Sequence, residues 1–116
     1  LDQYKSLTQE MLNKIGESFT RNQLIVDHYI ANREQYGPTL VFATSIMHCE
    51  TLVDYFKKSG VKKCAAIHSD YKDFEIEDRL AQFKIGELDV LVNVNMLTEG
   101  VDIPNAKTVF FKWWVQ

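Results

Sequence analysis

Thr39-Leu-Val-Phe-Ala-Thr44 is a short apolar run with the β-branched and aromatic content of a strand. Thr44-Ser45 then offers hydroxyl caps, and Ile46, Cys49, Val53 and Phe56 recur at helical spacing to about Lys58, where Ser59-Gly60 ends the run. The same unit follows again. Lys63-Cys-Ala-Ala-Ile-His68 predicts a second strand and Ser69-Asp70-Tyr71-Lys72 a loop. Asp73 is expected to cap a third helix that turns Ile76, Leu80 and Phe83 inward and stops at Gly86. Asp89-Val-Leu-Val-Asn-Val94 predicts a third strand and Thr108-Val-Phe-Phe-Lys-Trp113 a fourth. Strands that alternate with helices and are apolar throughout belong to a parallel sheet covered on both faces. Ligands bind such sheets at the carboxyl ends of the strands. Those ends are Thr44-Ser45, His68-Ser69-Asp70 and the loop from Asn95 to Pro104.

Upstream of this pattern, residues 1–36 read as helical. Leu7, Met11, Leu12 and Ile15 keep a helical period, Gly16 is expected to interrupt it, and Thr20 or Asn22 can open a second helix with Ile25, Tyr29 and Ile30 on one side. Gly37-Pro38 stops it. The division expected is therefore a helical linker or packing segment over residues 1–36 and an α/β domain over residues 37–116.

With 116 residues, the chain has the size of one small domain. The formal net charge of −3 gives no global basic field, which argues against a free-standing nucleic-acid-binding module but leaves room for one wall of a larger cleft. Cys49 and Cys64 form no Cys-x-x-Cys pair and no zinc-ligand pattern with histidine, so both read as buried free thiols suited to a reducing cytoplasm. No stretch approaches the apolar length of a membrane helix.

The segment richest in chemistry is Asn93-Val-Asn-Met-Leu-Thr-Glu-Gly-Val-Asp-Ile-Pro-Asn105. Gly100 permits a backbone conformation closed to other residues, and Pro104 fixes the chain direction after Asp102. A carboxylate held in this way can accept from ribose hydroxyls or from arginine, or it can simply cap the connection. Asn95-Met-Leu-Thr-Glu-Gly-Val-Asp-Ile-Pro104 resembles motif V of the superfamily 2 helicases, in the Asn-x-Leu-x-Glu-Gly-x-Asp-x-Pro branch of excision-repair and restriction-enzyme motors. Thr39 to Ser45 resembles motif IV. Ala66-Ile-His-Ser-Asp70 and Asp78-Arg79 with Phe83 and Gly86 resemble the segments between, so four blocks stand in register over residues 38–111.

This resemblance implies a three-layer RecA-like (P-loop-NTPase-like) α/β fold with a mainly parallel sheet, the second such domain of an ATP-dependent helicase or translocase. It implies that Thr44, Ser45, His68, Asn95 and Thr98 face a nucleic-acid strand, DNA rather than RNA, and that Gly100 and Asp102 face the nucleotide. Many relatives carry Thr-Asp where this chain has Val94-Asn95, so the hydroxyl contact made there is missing. ATP and magnesium are expected to be held mainly by an N-terminal RecA-like domain of the same polypeptide. The sequence has no Gly-x-x-x-x-Gly-Lys-Ser/Thr phosphate loop and reaches Gln116 without the family's Gln-x-x-Gly-Arg-x-x-Arg segment. Arginines of that kind are worth about 10³–10⁵ in rate, so a domain truncated at this end and tested alone is expected to hydrolyse no ATP, and no catalytic residue is assigned within it. The alternative is a non-catalytic α/β binding or interaction domain, either flavodoxin-like or helicase-like in fold.

Several residues carry plainer readings beside functional ones. His68 at a strand end suits a hydrogen-bonded structural role as well as a ligand. His28 and His48 lie on helices and read as partly exposed. Lys57, Lys58, Lys62 and Lys63 fall at the opposite edge of the sheet and read as a solvated face. Trp113-Trp114 read as core or domain-interface residues.

Overall fold

The computed structural model describes residues 9–97 and 108–110, with side chains described from Phe19 to Leu97. The element order is α1 (Gln9–Ala31), α2 (Arg33–Tyr36), β1 (Thr39–Phe42), α3 (Ile46–Lys58), β2 (Cys64–Ile67), α4 (Asp73–Lys84), β3 (Val90–Asn93) and β4 (Thr108–Phe110). The four strands form one sheet in the order β2-β3-β1-β4. All three pairings are parallel, with Leu40 opposite Leu91 and Val109, and Ala65 opposite Leu91.

The chain moves from β1 past β3 to β2, then back to β3. Crossovers of one hand that run in opposite directions must lie on opposite faces of the sheet. The two apolar clusters divide accordingly. Val41, Ala43, Cys64, Ala66, Val90, Val92 and Val94 meet Cys49, Leu52 and Phe56 of α3 and Ile25, Val26 and Tyr29 of α1. Leu40, Ile67 and Leu91, the alternate positions, meet Ile76 and Phe83 of α4. Period-two alternation thus feeds two buried faces, giving three layers.

The first helix departs from the sequence expectation. Gly16 does not interrupt it, and α1 is continuous over 23 residues. One interior glycine costs only about 1 kcal/mol relative to alanine, which the packing of Ile25, Val26 and Tyr29 against α3 readily offsets. The buried stripe is Asn22, Ile25, Val26 and Tyr29, whereas Ile30 falls at its margin and is 38% exposed. Tyr29 meets Phe56 edge-on at 5.6 Å between ring centroids.

Both later helices end as the sequence expects. Gly60 and Gly86 take φ of +99° and +86°. A Cβ would meet nothing within 4 Å at either position, so backbone conformation rather than space selects glycine there. Asp73 is not the cap of α4 but its first residue. The amide of Lys72 donates to the Glu75 carboxylate at 3.0 Å, and Asp73 adds negative charge to the first turn.

Cys49 and Cys64 are buried free thiols, and burial pushes each up to about 12. The Cys49 thiol points at the carbonyl of Val92, 3.3 Å away. No described helix is long and apolar enough to cross a membrane.

Candidate nucleic-acid interface

Three strand ends deliver polar residues to the carboxyl edge of the sheet. β1 leads to Thr44 and Ser45, β2 to His68, and β3, which lies between them, to Asn95. Four of the seven residues implicated by sequence are therefore brought to one edge. Thr98, Gly100 and Asp102, like Trp113 and Trp114, lie outside the described residues.

The four do not present themselves alike. Thr44 and Ser45 are exposed. Ser45 is the N-cap of α3, with φ −155° and ψ 167°, and its Oγ accepts from the His48 amide at 3.0 Å. An accepting hydroxyl oxygen still has its own proton to give, so the cap keeps a donor facing outward. The first turn of α3 adds backbone N–H groups and the positive end of a helix dipole at the same edge.

Thr44 is held from below. Its amide donates to His48 Nδ1 at 3.0 Å, and its Oγ1 lies 3.1 Å from the same nitrogen. His48 Nε2 is 3.0 Å from Oδ1 of Asn22, a residue of α1 that is only 5% exposed. Burial lowers His48 from its ordinary value, and the nearby Arg21 pushes it the same way.

His68 is 3% exposed. Its Nδ1 accepts from the Asp70 amide at 3.3 Å, its Nε2 lies 3.4 Å from a Glu50 oxygen, and its ring is covered by Tyr71 at 4.4 Å between centroids. The Tyr71 hydroxyl reaches both Glu50 oxygens, at 3.2 and 3.1 Å. Arg79 lies over the Tyr71 ring at 4.0 Å and donates to the Ala66 carbonyl at 2.6 Å, which covers part of the open edge of β2. His68, Tyr71 and Arg79 form a layered stack that fixes the loop after β2. Glu50, Tyr71 and Arg79, with Val53, Asp54 and Lys57, also line an open groove of about 360 Å³ beside that edge.

Asn95 is exposed and takes φ of +57°, the one positive value among described residues other than glycine. Asparagine tolerates this region better than most side chains. Two residues before it, Asn93 is fully buried, and its amide nitrogen donates to the Val41 carbonyl at 3.2 Å. The Asn93 amide oxygen has no partner.

Sequence reasoning missed the roles of Asn22, Glu50 and Tyr71, and it placed a turn at Asn95 without foreseeing its positive φ. A polar Asn22 on the apolar stripe of α1 was the available signal. Nothing in the sequence marks Glu50, because its partners lie 18 and 21 positions away. His28 and His48 are half-buried, in keeping with the partial exposure expected of them. Lys57, Lys58, Lys62 and Lys63 are exposed at the amino edge, where Lys58 pairs with Asp54 and Lys63 with Asp89. Among the described residues no group of three or more His, Cys, Asp or Glu could hold a metal ion.

A parallel sheet in three layers with polar loops gathered at one edge defines a RecA-like α/β domain. The chain belongs to the family described as Helicase conserved C-terminal domain, which it matches over residues 6–112, and it is a superfamily 2 member of that family. It is 43% identical over 70 residues to UvrABC system protein B of Anaplasma phagocytophilum (strain HZ), covering 60% of this chain and 11% of that protein. It is 39% identical over 76 residues to the same-named protein of Bacillus caldotenax, covering 66% and 11%. Among solved structures it is similar to S. cerevisiae Dbp5 bound to Gle1 and IP6, with a TM-score of 0.69 and 22% identity over 79% of this chain and 23% of that one. It is also similar to the Hef helicase domain of Pyrococcus furiosus, with a TM-score of 0.64 and 25% identity over 86% and 21%. The chain thus spans about a tenth of the length of the curated relatives it matches. The family match favours the helicase domain over the flavodoxin-like binding domain weighed from the sequence.

Proposed function

We propose that this domain grips one nucleic-acid strand by its backbone and supplies one wall of an ATP cleft in a two-domain motor. The observation that carries the reading is the meeting of Thr44, Ser45 and Asn95 at the carboxyl edge of one sheet, exposed and uncharged. Hydroxyls, amides and backbone N–H groups suit phosphate oxygens and carry no base preference. A motor that steps along any sequence needs contacts of that kind. Thr98, three residues after Asn95 in the sequence, is assigned the same backbone-contacting role by the motif resemblance. His68, being buried, contributes from beneath by ordering the loop after β2.

Gly100 and Asp102 are the nucleotide-facing residues in this reading. ATP and magnesium are held mainly by a first RecA-like domain of the same polypeptide, and closure of the two domains on ATP couples hydrolysis to movement. DNA is favoured over RNA because the motif V segment resembles the branch of excision-repair and restriction-enzyme motors. A cytoplasmic setting fits two cysteines kept as thiols.

Binding of a fluorescent oligothymidylate measured by anisotropy tests the grip. Thr44→Ala and Ser45→Ala are each expected to weaken it about tenfold, the loss typical of one hydrogen bond to a charged group. Unchanged affinity in both would remove the edge from the binding surface. In the two-domain protein, Asp102→Ala is expected to lower strand-stimulated ATP hydrolysis, and wild-type turnover would discard the nucleotide role.

A further inference from the structure

The geometry points to His48 and Asn22 as positioning residues that fix Thr44 from the first helix, so that α1 sets the state of the strand grip. This rests on the grip proposed above for Thr44.

The chain of contacts has one consistent protonation pattern. Thr44 N–H points at His48 Nδ1, so that nitrogen must be the acceptor and the neutral ring carries its proton on Nε2. That proton meets Oδ1 of Asn22. Asn22 is 5% exposed, and its oxygen is turned to the ring. The opposite tautomer would set an N–H against the Thr44 N–H and leave Nε2 facing an oxygen without a proton between them. Asn22 therefore selects the tautomer, and the tautomer anchors the Thr44 amide. Burial favours the neutral ring that this pattern needs.

The consequence for Thr44 follows from counting lone pairs. Nδ1 has one in-plane lone pair, and the Thr44 amide takes it. The Thr44 hydroxyl, 3.1 Å from the same nitrogen, competes for an occupied acceptor and can turn its proton to an outside oxygen. The backbone stays fixed while the hydroxyl is free to donate. His48 is the third residue of α3, and its amide is capped by Ser45, so the same residue ties both exposed hydroxyl residues to one helix end. Movement of α1 that withdraws Asn22 would release the tautomer, then the Thr44 amide, then the preset position of the hydroxyl.

The test uses the chain labelled with nitrogen-15 on histidine and on the backbone. Long-range histidine spectra of the wild type are expected to show His48 protonated on Nε2. Asn22→Leu should mix in the Nδ1–H form, speed exchange of the Thr44 amide about tenfold and weaken oligothymidylate binding several-fold. Asn22→Asp, which keeps an oxygen acceptor, should restore the tautomer and the amide protection when read at alkaline pH, where the ring stays neutral beside the carboxylate. A merely structural Asn22 would shift none of these selectively. If circular dichroism shows Asn22→Leu unfolded, His48→Ala at its half-buried site provides the second reading, with the same loss of Thr44 protection. A wild-type Nδ1–H tautomer, or a Thr44 amide indifferent to both variants, overturns the inference. If tautomer and protection change as expected but Thr44→Val leaves binding intact, the relay stands and the grip assigned to Thr44 falls.

Discussion

The end of β1 and the end of β2 occupy equivalent places in the fold, and they are built in opposite ways. At β1 the last polar residues, Thr44 and Ser45, are exposed, and the histidine that holds them lies below in α3. At β2 the histidine itself is the strand-end residue, buried under Tyr71, and its Nε2 makes no hydrogen bond although a Glu50 oxygen lies 3.4 Å away. In both cases a ring Nδ1 accepts a backbone amide, from Thr44 in one and Asp70 in the other. One imidazole leaves its partner's hydroxyl facing out; the other is itself covered. An imidazole near such an edge can thus act as scaffold, and burial decides whether a neighbouring group is left to meet a ligand.

The largest expected effect tests what the β1 end stands on. Phe56→Ala removes a fully buried ring between α3 and Tyr29 and should cost about 3–5 kcal/mol in urea unfolding. A smaller loss with the Thr44 amide still protected would mean that α1 is not needed to hold the β1 end. Next, His68→Leu leaves the Asp70 amide without its acceptor and should cost about 1–3 kcal/mol. Hydrogen exchange should quicken at Asp70 and not at Thr44; quickening at both would erase the distinction between the two ends.

Asn95→Ala places a less tolerant side chain at φ +57° and is expected to destabilise by about 1–2 kcal/mol, whereas Asn95→Gly should not. Equal effects would show that the side chain, rather than the turn, is what matters there. Ser45→Ala removes the cap of α3 and should cost about 1 kcal/mol by thermal unfolding.

The smallest effect is a pH dependence at the β1 end. His48 is lowered in the folded protein from its ordinary 6.5, so the unfolded chain takes up the proton first. This contribution is constant above that value and is lost as pH falls below it, down to the lowered folded value. His48→Gln should flatten the slope in that window; an unaltered slope would place the titration elsewhere.

Most of the fold was legible because local chemistry and tertiary need agree in it. Apolar runs of four to six residues, hydroxyls before Ile46 and glycines after Lys58 and Lys84 place strands and helices within a residue or two. The errors came where packing outweighs local preference. Gly16 carries a helix-breaking signal too weak to act against a buried stripe, and Asp73 yielded its capping place because Glu75 reaches back to Lys72. The edge that gathers Thr44, Ser45, His68 and Asn95 was legible from strand ends alone. Which of them faces outward was not, since exposure depends on Tyr71, three residues on in the loop before α4, closing over His68.

Sequence by itself determined the alternation of strands and helices, the two buried faces and the four motif blocks in register, because each depends on residues close together in the chain. Only the tertiary structure decided the strand order β2-β3-β1-β4, the reach of Asn22 across 26 positions to His48 and the hold of Glu50 on the β2 loop. Those contacts join side chains whose individual types are ordinary. Their meaning arises from which donor meets which acceptor once both faces of the sheet are packed.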